Sequence, residues 1–238
     1  MPGPNPQMQA YAPTLADGRA AVRANARSQF IMLTYLHLFG AVMAFIAIEV
    51  GLFSLGLAAP IAQAMLGTSW LLVLGGFMVA SWLATHMAHR AESLPAQYAA
   101  LALFVVAEAV IFIPLLAIAS YAAPGAISSA GWVTALGFAG LTAVVFTTRK
   151  DFSFMGSLLR WGFIVAMVAI VAGVIFGFQL GTFFSVGMVA LAGGAILYDT
   201  SNVLHHYPEN RYVGASLQLF ASVALMFWYV LQLFMSRD

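Results

Sequence analysis

Three acidic residues, Glu49, Glu108 and Asp199, stand inside otherwise apolar segments of a chain that is 63% hydrophobic and 7% charged. An ionisable group costs at least ~2.5 kcal/mol to insert at the centre of a bilayer, so such residues are retained for what they do: bind a cation, carry a proton, or stay neutral and hydrogen-bonded in a core. Histidines form a second set. His86 and His89 make a His-x-x-His pair, His205 and His206 are adjacent, and His37 stands apart. With Asp199 they have the residue types of a zinc site, and hence of a metal-dependent hydrolase. The chain has no cysteine, which removes disulfides, thiolate nucleophiles and Cys-ligated metals. It carries no phosphate loop, dinucleotide fingerprint or nucleophile elbow, so neither a catalytic residue nor a bound cofactor is read from it.

The elements that must position these residues follow from hydropathy. A mean hydropathy of +0.95 describes a polytopic membrane protein. Breaks at charge, Pro and polar clusters give seven spans, roughly 30 to 58, 62 to 85, 97 to 121, 127 to 147, 158 to 179, 182 to 204 and 212 to 235. The expected fold is therefore an all-α seven-transmembrane-helix bundle over 29–238. Residues 1–28, with Pro2, Pro4, Pro6 and Pro13, are expected to be a disordered cytoplasmic tail. A cleavable signal peptide is not expected, because the apolar stretch after Arg27 is far longer than an h-region. The net charge of +1 gives no reason to expect nucleic acid as a partner.

Eight of the nine basic residues, Arg237 excepted, fall on one face of this layout. The positive-inside rule then puts the N-terminus in the cytoplasm. Gly173, Gly177 and Gly181 form a small-xxx-small ladder, and the pairs Gly75–Gly76 and Gly193–Gly194 are further candidates for close helix packing. At about 1.5 Å of rise per residue, Asp199 should lie in the cytoplasmic third, Glu108 near the midplane, and Glu49 at the outer end in contact with water.

The stretch Phe146 to Met155, FTTRKDFSFM, and the end of span six, Ile196 to Val203, ILYDTSNV, resemble the Bax inhibitor-1 family in order and topology. The resemblance covers nearly all of the chain after residue 28. It implies that Asp199 belongs to a pair of aspartates acting as a pH-sensitive latch on a calcium-permeable path. This chain departs from the pattern, since the matching segment of span seven reads SLQLFASVALMF and places Ser222 where the second carboxylate would be. Serine there resembles a bacterial branch associated with a membrane-anchored AAA protease. The family's basic partner near the end of span two would fall to Arg90, with His86 and His89 as substitutes.

The expected function is a pH-sensitive calcium or cation leak in a bacterial inner membrane, with no enzymatic activity. Asp199, Ser222, Arg90 and Glu108 would form the ion path and pH sensor, and Gln218, His86, His89, His205 and Glu49 stand as secondary candidates. Calcium binding would be weak, because tight sites need 6 to 8 oxygens. A non-conducting regulator of a membrane-anchored AAA protease or stress response is the alternative. A hydrolase using His86, His89, His205, His206 and Asp199 is the third.

Overall fold

A computed structural model describes residues 6–90 and 93–236, with side chains described from residue 20 onward except that of His89. Among the described residues eight helices follow one another: α1 (Pro6–Ser54), α2 (Ala58–Leu66), α3 (Trp70–Arg90), α4 (Leu94–Ala122), α5 (Ala126–Thr148), α6 (Met155–Phe176), α7 (Gly181–His205) and α8 (Tyr212–Met235). Seven of these are long and apolar enough to cross a membrane. Their outward faces carry exposed Phe39, Trp82, Trp132, Leu136, Val165 and Val168, the surface expected of a bundle whose solvent is lipid.

The core is built on α8, which packs against α1, α3, α4, α5 and α7. Aromatic pairs set the register between α4 and α8: Phe104 meets Phe220 at 6.0 Å and Phe112 meets Trp228 at 4.9 Å. At one rim Gln97 of α4 donates to the Asn210 carbonyl at 3.3 Å and accepts the Gly214 N–H at 3.4 Å. That rim collects the α3–α4, α5–α6 and α7–α8 connections, together with Arg27, Arg90, Arg149, Lys150 and Arg211.

Four expectations change. The segment 1–28 was expected to be disordered. Residues 1–5 lie outside the described residues, and the rest continues α1 as helix from Pro6. Alanines at positions 10, 12, 16, 20, 21, 24 and 26 supply the strongest helix former, which offsets the prolines. The second span begins at Trp70 rather than 62, because Gly67, Thr68 and Ser69 break the apolar run into a short α2 and a full α3. Thr68 Oγ1 donates to the Ala64 carbonyl at 2.8 Å, satisfying an orphan acceptor at the end of α2.

The expected glycine ladder also divides by role. Gly177 (φ 73°) caps α6 and Gly181 (φ 67°) opens α7, so both are turn residues in the left-handed region. Only Gly173 is a packing position, its missing Cβ accommodating the Phe178 carbonyl at 3.1 Å. Gly193 and Gly194 do face neighbouring side chains, whereas Gly75 and Gly76 meet nothing within 4 Å. Finally, Glu49 is not solvated. It ends an inward stripe on α1 formed by Phe30, Thr34, Leu38, Ala41 and Phe45, is 6% exposed, and neither carboxyl oxygen has a hydrogen-bond partner among the described residues.

Candidate functional site

Asp199 sits six residues inside the end of α7, on the buried face that also carries Ile196 and Val203. Ser222 of α8 faces it, and its Oγ donates to Asp199 Oδ2 at 2.6 Å. Both residues are buried. The position at which the sequence puts a hydroxyl for a second carboxylate is therefore in direct contact with the first. A hydroxyl beside a carboxylate makes one short donor–acceptor bond and adds no like charge.

The pair lines a cavity of about 1070 Å³ between α3 and α6, with α7 and α8 behind it and Phe104, Glu108 and Phe112 of α4 reaching in. Glu108 lies between Phe104 and Phe112, whose partners on α8 are Phe220 and Trp228, so it stands near the level of Ser222. In this register Asp199 and Glu108 lie within about a turn of each other in depth, closer together than the expected series placed them. Glu108 is 7% exposed and has no protein hydrogen-bond partner among the described residues. Gln218 also lines the cavity, with its Nε2 unpartnered among the described residues. Glu49 does not line it.

Arg90 does not reach Asp199. The end of α3 packs where a Cβ on Gly214 would touch the Ala88 carbonyl at 3.2 Å, and Ser222 lies eight residues deeper along α8, about 12 Å at the helical rise. Arg90 is two residues beyond Ala88 and exposed. The basic residue that does line the cavity is Arg160, five residues into α6. The sequence reading did not single it out as a site residue, although its position inside an apolar span was the available signal.

The histidines separate. His86 stacks on Trp82 of its own helix at 5.1 Å, and His205 Nδ1 lies 3.1 Å from the Ser201 carbonyl. His37 donates from Nδ1 to the Leu33 carbonyl and accepts at Nε2 from the Tyr98 hydroxyl, both at 2.7 Å. The side chain of His89 lies outside the described residues. Among the described residues no three of His, Asp or Glu converge as metal ligands.

His206 has a different partner, one that the sequence reading missed. Its Nε2 is 2.9 Å from Asp151 Oδ2 in the α5–α6 connection. Asp151 Oδ1 accepts from the Ser153 N–H at 2.8 Å and from Ser201 Oγ at 3.3 Å, and Ser201 Oγ accepts the Phe152 N–H at 2.9 Å. Ser153, through its backbone N–H and then its hydroxyl, and His206 more weakly, hold the Asp151 carboxyl at about 2, below its ordinary 3.8. The K-D-F-S segment is thus a clasp between the α5–α6 loop and the end of α7. Arg149, at φ 51°, makes the left-handed turn that starts it.

Residues 27–238, which include both the clasp and the Asp199–Ser222 pair, match the family described as inhibitor of apoptosis-promoting Bax1. The chain belongs to the Bax inhibitor-1 family. Curated relatives of this Bax inhibitor-1 family member include an uncharacterized protein of Pseudomonas aeruginosa, 40% identical over 111 residues, which are 45% of this chain and 49% of that protein. The modulator of FtsH protease YccA of Escherichia coli K12 is 37% identical over 108 residues, 44% of this chain and 49% of that protein. An uncharacterized membrane protein of Vibrio cholerae is 31% identical over 111 residues, 46% of this chain and 49% of that protein. The chain spans about half the length of the curated relatives it matches.

Proposed function

We propose that this protein is a non-enzymatic, multi-pass protein of a bacterial inner membrane that regulates a membrane-anchored AAA protease. The observation that carries the reading is the 37% identity to a protein named as a modulator of FtsH protease. Two structural features support it. Asp199 faces a serine rather than a second acid, which removes the shared-proton pair that the family resemblance associates with a calcium latch. In addition, α1 continues beyond the basic rim, where, with the N-terminus in the cytoplasm, it offers a handle to a soluble protease domain. The test is reconstitution of the full chain with an FtsH-type AAA protease and a membrane substrate. Co-purification and an altered degradation rate are expected, both weakened by removal of residues 1–19. Failure to co-purify together with an unchanged rate would overturn the reading.

A cation leak is the second reading, favoured by Asp199 and Glu108 lining one cavity. The few oxygens there suit weak, transient occupancy by calcium or another cation rather than storage. Flux into liposomes containing the pure protein tests it. Flux that is absent, or that keeps its full pH response in folded Asp199→Asn, excludes Asp199 as the sensor of such a path.

A further inference from the structure

The cavity is much larger than an inorganic ion needs. Its volume of about 1070 Å³ sits at the upper end of the range for small-molecule sites, roughly 300–1,000 Å³, and a water molecule occupies only about 30 Å³ in the liquid. Its chemistry is also that of a ligand site, with apolar and aromatic walls and a few polar groups among them. Tight binding of a divalent cation requires a shell of oxygens that these walls do not supply. One carboxyl inside has no hydrogen-bond partner among the described residues: Glu108, 7% exposed, with Phe104 one turn before it and Phe112 one turn after on the same helix. Beyond Phe112, Trp228 presents its ring edge-on to Phe112 at 4.9 Å and stacks on Trp70 at 6.5 Å.

We propose that this cavity binds a lipophilic organic monocation, with its charged centre at Glu108 and its hydrocarbon among Phe112, Trp70 and Trp228. A carboxylate in a low-dielectric site is stabilised by an opposite charge that enters with little dehydration cost, and aromatic faces add cation–π attraction. The other titratable groups on the wall are Asp199, Arg160, Tyr198 and Tyr229. Asp199 already accepts from Ser222. Arg160 is exposed, five residues into the outer helix α6, and makes no ion pair with Glu108 among the described residues. The walls α3 and α6 are outer helices with exposed apolar faces, so a ligand dissolved in the bilayer enters at the seam between them.

Tetraphenylphosphonium is a suitable probe, measured by equilibrium dialysis against full-length protein in nanodiscs, with empty nanodiscs as the blank. Saturable binding near one per chain is expected, with neutral triphenylphosphine oxide binding far more weakly. Glu108→Gln should weaken probe binding by about tenfold or more, the scale of a lost charged contact, and the surface variant Glu209→Gln should leave it unchanged. Should Glu108→Gln not remain monodisperse, Ala221→Phe, which fills the cavity from α8 and keeps the acid, should also abolish binding. No saturable binding above empty nanodiscs, as when a phospholipid chain and its phosphate at Arg160 occupy the space, would overturn the proposal. So would equal affinity for the neutral analogue, or full affinity in folded Glu108→Gln.

Discussion

Asp199 and Ser222 form a buried pair whose stability contribution is measurable without knowing what the protein does. Removing the hydroxyl leaves a buried carboxyl oxygen without its donor, so Ser222→Ala should cost about 1–3 kcal/mol. A double-mutant cycle with Asp199→Asn in thermal melts should show coupling of at least about 0.5 kcal/mol, and strict additivity would mean that the bond contributes nothing. The Asp151 clasp makes a prediction with a definite sign. Because its carboxyl is held at about 2 against an ordinary 3.8, its contribution is fully present above 3.8 and is lost as pH falls towards about 2. The melting-temperature gap between the native chain and Asp151→Asn should be constant through neutral pH and should close on acidification over that window. A gap that persists at pH 2 would show that the clasp acts through shape rather than charge.

At the scale of helices, small residues set how closely neighbours approach, and the cost of enlarging them depends on what lies opposite. A Cβ on Gly214 would meet the Ala88 carbonyl at 3.2 Å, and a backbone atom cannot rotate away. One on Gly162 would meet Leu191 Cδ1 at 2.6 Å, a closer contact but with a movable side-chain tip. Gly214→Ala should therefore destabilise the fold more than Gly162→Ala, by about 1–3 kcal/mol against less than about 1, and lower the melting temperature more. The reverse order in scanning calorimetry would show that α6 and α7, rather than α3 and α8, form the rigid contact. Sequence reading reached the spans because lipid-length apolar runs are imposed by the bilayer itself. It placed Ser222 against Asp199 through the family resemblance, which marks the position of a second carboxylate on the last span. The α2–α3 break escaped it, since both sides of Gly67 are equally apolar. The burial of Glu49, the arrival of Arg160 in the cavity and the Asp151–His206 contact escaped it too, since each depends on which helices become neighbours, information held in tertiary packing.

Over the whole molecule, charge asymmetry sets orientation. With the basic rim in the cytoplasm, single cysteines at Gly125 or Gln179 should react with a membrane-impermeant maleimide added to spheroplasts, while one at Glu209 should react only after lysis. The absence of native cysteines makes each probe unambiguous. Labelling of Glu209 in intact spheroplasts would invert the topology and take α1 away from any cytoplasmic protease.

The continuity of α1 also gives the molecule a fixed reach. Arg27 marks where the helix leaves the bundle: its Nη1 donates to the Tyr207 carbonyl at 2.8 Å and its guanidinium lies 5.3 Å from the Phe30 ring centroid. From Arg27 back to Pro6 is 21 helical steps, about 32 Å at the helical rise. A body that grips the far end is held at that standoff, as by a spacer rod. A pull along the rod bears on Arg27 and the Tyr207 carbonyl, at the hinge between α7 and α8 and next to the two helices that hold Asp199 and Ser222.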